Sequence, residues 1–173
     1  MIKKEFTVPE LDRHLNNLLS RAIALATSAH SGQVDKGGFL YILHPLRVME
    51  AVREYGQIYQ IVAVLHDVVE DTPITLGDLL QSFPLVVVEA VDAISQRKGE
   101  SGRLYLNRVM ENQIATVVKI EDVNDNTRLD RLTHLSLREQ HDKQMVAKER
   151  LGYLREARNR HLSTAIEEAV EAL

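Results

Sequence analysis

The chain has 173 residues, enough for one ordinary domain (1–173) that buries about two thirds of its unfolded surface. With 21 Lys and Arg against 25 Asp and Glu, its formal charge of −4 gives no broad basic field for a nucleic-acid backbone and leaves room only for a local basic pocket. Cysteine is absent, the opening MIKKEFTVPELDRH lacks the apolar core of a signal peptide, and nowhere does the roughly 18-residue apolar run of a membrane span occur. The expectation is a soluble cytoplasmic protein that engages neither membrane nor nucleic acid.

Four Pro, eight Gly, few aromatics and long runs of helix formers favour an all-α fold without internal repeats or low-complexity linkers. Over 9–30, Leu11, Leu15, Leu18, Leu19, Ile23, Leu25 and Ala26 recur near helical spacing and predict the first helix. SGQVDKGGFLYILHP carries three Gly and ends at Pro45, a good first-turn residue, so a loop there gives way to a helix over 44–55 with His44 at its mouth. A third helix spans 57–70 and stops at Asp71-Thr72-Pro73. Thr75 caps TLGDLLQSF, with Asp78 a weaker capping-box partner than Glu.

Pro84 opens PLVVVEAVDAISQ, whose valines suit a strand as well as a helix. RKGESGR is a turn-rich loop and LYLNRVMEN a helix, and QIATVVKIEDVNDNTRLDRL is read as helix because the rest of the chain is helical. Beyond Ser136 a charged stretch of about two helices (136–173) ends in AIEEAVEAL, whose acids form a solvated face. These helices pack internally or pair with a second subunit, so a homo-oligomer stays open.

One stretch does not fit a plain core helix. LHDVVEDT (65–72) sets His66, Asp67, Glu70 and Asp71 among apolar residues, directly after the interior-facing IVAV of 61–64. A buried carboxylate without a partner costs several kcal/mol or more, and a divalent cation is the simplest compensation. On one helix His66 and Glu70 are four apart and Asp67 and Glu70 three apart, so they share a broad face, whereas the adjacent pair His66-Asp67 diverges by about 100°. Further ligands must come from elsewhere, and His44 beside Pro45 and Asp122 in the polar run KIEDVNDN are candidates. Two imidazoles and two carboxylates balance a divalent charge and suit Mn²⁺, Fe²⁺, Zn²⁺ or Mg²⁺.

The ordered blocks AHSGQVDKGGFLYILHPLRV, AVLHDVVEDTPIT and KIEDVNDNTRL resemble the signature segments of HD-domain phosphohydrolases of the RelA/SpoT hydrolase type, in particular the small alarmone hydrolases. The likeness covers about 22–132. It implies a compact all-α helical bundle in which His44, His66, Asp67 and Asp122 hold one metal ion, usually Mn²⁺, and Glu70 and Asp71 act on the attacking water. It further implies an enzyme that removes pyrophosphate from the 3′ position of guanosine tetra- or pentaphosphate. The bottom-up reading agrees on a metal-assisted hydrolysis but leaves open which of Glu70 and Asp71 takes the proton. The alternatives are a phosphohydrolase of another nucleotide, such as an adenosine alarmone, and a non-catalytic nucleotide-binding module.

For the small-molecule nucleotide, Lys36 matches a family lysine in the Gly-rich loop and Asn126 the asparagine after the last metal Asp. Arg108, Lys119 and Tyr41 are further candidates for holding phosphate or lining the pocket. Two departures stand out. Asp35 occupies the place of a family arginine that packs on guanine, which implies relaxed base selection, and Phe39-Leu40 make a more apolar lip than the family pattern. The synthetase domain of the long bifunctional enzymes finds no residues within these 173.

Overall fold

The computed structural model describes residues 7–171, and all regular elements among them are helical. In chain order these are α1 (Val8–Ala29), α2 (Leu43–Ala51), α3 (Gln57–Leu65), α4 (Val68–Asp71), α5 (Leu76–Leu80), α6 (Leu85–Ile94), α7 (Gly102–Glu111), α8 (Gln113–Asn126) and α9 (Leu137–Glu171), with 3₁₀ turns at Arg53–Tyr55 and Leu129–Arg131. The last two residues of AIEEAVEAL and the opening MIKKEF lie outside the described residues. The segments 84–96 and 113–132, where a strand was an alternative, hold the helices α6 and α8. No helix among the described residues is long and apolar enough to cross a membrane.

Helices α3 and α8 form the centre. The first packs against α1, α2, α6 and α8, and the second against α2, α3, α6, α7 and α9. The sequence dictates this: Ile61, Val62, Ala63, Val64 and Leu65 are apolar all round and fully buried, the pattern of a helix covered on every side. Each such aliphatic side chain contributes about 1.5–3 kcal/mol on leaving water. Thr75 and Asp78 close a reciprocal capping box on α5, Thr75 N–H donating to Oδ2 at 2.9 Å and Asp78 N–H to Oγ1 at 3.2 Å.

Two expected elements differ. The helix foreseen over 57–70 breaks at His66-Asp67, where Asp67 has φ −98° and ψ −6° and caps α4. The His66 Nδ1–H donates to Ala63 O at 2.6 Å, the carbonyl that an unbroken helix would offer to the Asp67 amide. The two C-terminal helices are one, a 35-residue α9. Ala147, Leu151, Leu154 and Ala157 give it a single buried stripe along a chain free of Pro and with only Gly152 inside, so nothing breaks it.

The Gly-rich loop between α1 and α2 folds back on itself through a Val34–Leu40 bridge. Gly38 turns it at φ +83°, a conformation that strains residues with a Cβ.

Candidate active site

The break in the third helix aims His66 and Asp67 at one point. His66 Nε2 lies 3.0 Å from Asp67 Oδ2 and 3.6 Å from Asp122 Oδ1 of α8, while His44 Nε2 in the first turn of α2 lies 3.1 Å from Asp122 Oδ1 and 3.6 Å from Asp67 Oδ2. Donor atoms bound to one ion at about 2.0–2.2 Å sit about 3.0–3.6 Å apart, so these four edges fit a single coordination shell. His44, His66 and Asp122 are buried, with ligand atoms mutually within 4.8 Å. His66 Nε2 is buried and makes no hydrogen bond.

The charges say the same. Burial pushes the His66 imidazole toward neutrality, but Asp67 and Asp122 outweigh it and raise its pKa well above the ordinary value. Burial likewise opposes the Asp67 carboxylate, yet His66 holds it at about 2. Two carboxylates facing two imidazole nitrogens make a pocket that wants a cation, and its mixed N and O donors fit a divalent metal.

Other groups fix the orientation of these four. His44 Nδ1–H donates to Asp125 Oδ2 at 2.7 Å, which turns the Nε2 lone pair inward, and the Ala63 carbonyl does the same for His66. Asp122 is gripped on both oxygens, by Asn126 Nδ2 on Oδ1 at 2.5 Å and Lys119 Nζ on Oδ2 at 2.7 Å. The hydroxyl of Tyr41 lies 2.6 Å from Asp67 Oδ2 and 2.9 Å from Asp71 Oδ2, donating its one proton between them.

Glu70 and Asp71 line a cleft of about 280 Å³ with Asp67, Asp122, Lys119 and Asn126. Glu70 Oε2 accepts the Gln96 backbone N–H at 2.8 Å. Burial raises the Glu70 carboxyl above its usual range, the Gln96 N–H opposing and the Asp67 charge adding to the rise. Gln33 Nε2 donates to Asp71 O at 3.0 Å while Gln33 Oε1 lies 2.8 Å from His30 Nδ1, bracing the end of α4.

No protein-family model matches the chain. It is 31% identical over 123 residues to the bifunctional (p)ppGpp synthase/hydrolase SpoT of Escherichia coli K12, a match covering 64% of this chain and 18% of that protein. It is 39% identical over 74 residues to a guanosine-3′,5′-bis(diphosphate) 3′-pyrophosphohydrolase of Haemophilus influenzae, covering 42% of this chain and 11% of that one. The chain thus matches less than a fifth of the length of these curated relatives. A solved structure described as a metazoan ortholog of SpoT that hydrolyzes ppGpp and plays a role in starvation responses superposes with a TM-score of 0.65 at 20% identity, over 88% of each chain. These matches place the chain among HD-domain proteins of the RelA/SpoT hydrolase type.

Within this HD site the remaining candidates fall in different places. Lys36 and Asn126 line a second cleft of about 360 Å³, beside Asp35, Tyr41 and Asp71. Asp35 is occupied with its own loop: Oδ1 accepts from Gly37 N–H at 2.9 Å and Phe39 N–H at 3.0 Å, and Oδ2 lies 3.5 Å from Arg131 Nε. Phe39 and Leu40 are exposed. Arg108 is a correction. Its guanidinium meets Glu100 Oε1 at 3.1 Å and Oε2 at 2.6 Å, Ser95 O at 2.9 Å, Ala93 O at 3.1 Å and Asp92 O, which engages all five donors and leaves none for a phosphate.

Three residues escaped the sequence reading. Asp125 accepts from Arg47 Nε at 2.6 Å and Arg131 Nη1 at 2.6 Å as well as from His44, and His44 and Arg47 hold its carboxyl down against burial. Its place three residues after Asp122, on the same helix face, was the available signal. Arg47 and Arg131 had none, because they reach the site only through the packing of α2 and the turn after α8.

Proposed function

We propose that this chain hydrolyses the 3′-pyrophosphate of guanosine tetra- or pentaphosphate-like nucleotides, with Mn²⁺ as its ion. The observation that carries this reading is the convergence of His44, His66, Asp67 and Asp122 beside the free carboxyl edge of Glu70 and Asp71 in one cleft. The names of the relatives support the substrate.

Held by the four ligands, a divalent ion would supply Lewis acidity, polarising a phosphoryl oxygen and acidifying water. In the reaction, water oxygen bonds to the phosphorus carried by the 3′ oxygen, the bond between that phosphorus and the 3′ oxygen breaks, and pyrophosphate leaves. One proton of the water goes to the carboxylate pair, and the 3′ oxygen gains a proton to become a hydroxyl. Glu70, its carboxyl raised above the usual range by burial and one oxygen fixed by Gln96, is placed to take the proton of the attacking water, and Asp71 stands next to it with Tyr41 on its other side. Lys119 and Asn126 keep Asp122 from rotating while charge builds on the phosphoryl group.

The test is to incubate metal-stripped protein with a panel of nucleotides, with and without Mn²⁺. Release of pyrophosphate from the guanosine 3′,5′-bis(diphosphate) only when metal is added is expected. Failure to release it from any 3′-pyrophosphorylated nucleotide with Mn²⁺ bound refutes the reading.

A further inference from the structure

Helix α9 outruns the body it packs on. Its last polar contacts with other elements among the described residues are Arg158 Nη1 donating to Tyr55 Oη at 3.4 Å and His161 Nε2 at 2.9 Å from Met110 O. From Leu162 to Glu171 every residue is exposed. The apolar face of the helix nevertheless continues. Leu162 stands eleven residues and Ala169 eighteen residues beyond Leu151, about three and five whole turns, so both extend the stripe that buries Ala147, Leu151 and Leu154. Leu162, Ile166 and Val170 repeat at four-residue spacing and are 49%, 63% and 64% exposed. A helical stretch of about ten residues is marginal in water unless an amphipathic face is packed, so this one calls for a cover.

The charges specify the cover. Beyond Leu162 the described part of the helix carries Glu167, Glu168 and Glu171 and no cation, whereas Arg155, Arg158 and Arg160 precede it with Glu156 alone against them. None of these arginines, and none of the three distal glutamates, forms an ion pair among the described residues. Arg158 and Arg155, four and seven residues before Leu162, share its face, and Glu167 and Glu168 flank that face on its two sides. Parallel pairing of two such helices sets acid on acid and arginine on arginine. Reversing one of them sets each acidic segment on a basic one, so the stretch is complementary to itself in the antiparallel sense.

We propose that this stretch of α9 is a self-association surface, pairing antiparallel with the same stretch of a second copy about a two-fold axis near Ser163. That register lays Leu162 and Ile166 of each copy on those of the other. It also sets Glu168 beside Arg158 and Glu171 beside Arg155, each pair made twice by the symmetry. The aliphatic stems of the arginines cover Val170. The overlap is about 17 residues or about 25 Å, the scale of a transient rather than an obligate interface. None of these residues lines the clefts around the metal cluster, so the inference stands apart from the hydrolase reading.

Sedimentation velocity over about 1 to 200 μM chain tests the pairing, and a concentration-dependent shift to twice the mass of one chain is expected. Ile166→Asp, which buries a charge in the pair and touches nothing in the body, should stay monomeric with its helical circular dichroism unchanged. Arg155→Glu and Glu171→Arg should each weaken the dimer by about fivefold, and the two together in one chain should restore most of the loss. Orientation is read from single cysteines, since the chain has none of its own. Under mild oxidation Leu162→Cys should link two copies, whereas Val170→Cys, about 21 Å along the axis from its counterpart, should not. A chain monomeric at about 200 μM overturns the proposal and leaves the stripe to a protein of different sequence. A dimer that Ile166→Asp leaves intact, or one in which Val170→Cys links as readily as Leu162→Cys, overturns it as well.

Discussion

His44 Nδ1 lies 2.7 Å from Asp125 Oδ2, and that buried pair decides which imidazole nitrogen faces the candidate metal cluster of His66, Asp67 and Asp122. Asp125 hydrogen-bonds none of His66, Asp67 and Asp122, but it draws Arg47 and Arg131 onto the same carboxylate. Replacing it with asparagine removes the charge that favours the right tautomer. Asp125→Asn is expected to keep its helical circular dichroism while its Mn²⁺ affinity, measured by chelator competition, falls about 10- to 100-fold. Undiminished affinity would mean that packing alone orients His44.

The ligands and the proton-handling pair should separate experimentally. His66→Ala or Asp122→Ala removes a donor from the shell and is expected to abolish both metal binding and hydrolysis with most helix retained. Glu70→Gln spares the shell, so metal should stay at normal stoichiometry while turnover drops by about a hundredfold or more. Metal retained by His66→Ala at full stoichiometry would refute the ligand set, and a normal rate in Glu70→Gln would remove that carboxyl from the mechanism.

Much of this was legible beforehand because it depends on local pattern. The apolar run 61–65 announces a central helix, and an HD pair among valines announces charges that must be compensated. What stayed hidden depends on tertiary contact. The break at His66-Asp67 arises when a side chain takes the Ala63 carbonyl, and residue spacing alone predicted an uninterrupted helix. Arg108 looked like a phosphate ligand because an arginine near a signature block has no visible partner until Ser95 and Glu100 fold over it.

If Glu70 handles the proton as proposed, that folded-over loop gives Arg108 the task of positioning it. It fastens Ser95 and Glu100, the flanks of the segment whose Gln96 N–H holds the Glu70 carboxylate. Arg108→Met keeps the bulk and removes the donors, and it should lower kcat about tenfold with KM and metal affinity little changed. The discriminating readout is a double-mutant cycle. If Arg108 acts through Glu70, adding Arg108→Met to Glu70→Gln should cost little further activity, whereas a general loss of structure would cost the same factor in both backgrounds.

Asp35 carries the last expectation. Standing where the resemblance places a base-packing arginine, it implied relaxed base selection through hydrogen bonds to the base. The structure gives its Oδ1 to the Gly37 and Phe39 amides and brings Oδ2 toward Arg131, so its first task is to hold the loop that carries Lys36. Asp35→Ala releases that turn without touching the metal shell. The expected result is a fall in kcat/KM of about tenfold for 3′-pyrophosphorylated guanosine and adenosine nucleotides alike, their ratio moving by less than about threefold. Asp35→Asn, which still offers a side-chain oxygen to both amides, should recover most of the loss. A ratio that shifts tenfold or more in Asp35→Ala while Asp35→Asn fails to restore it would instead assign the carboxylate to the base.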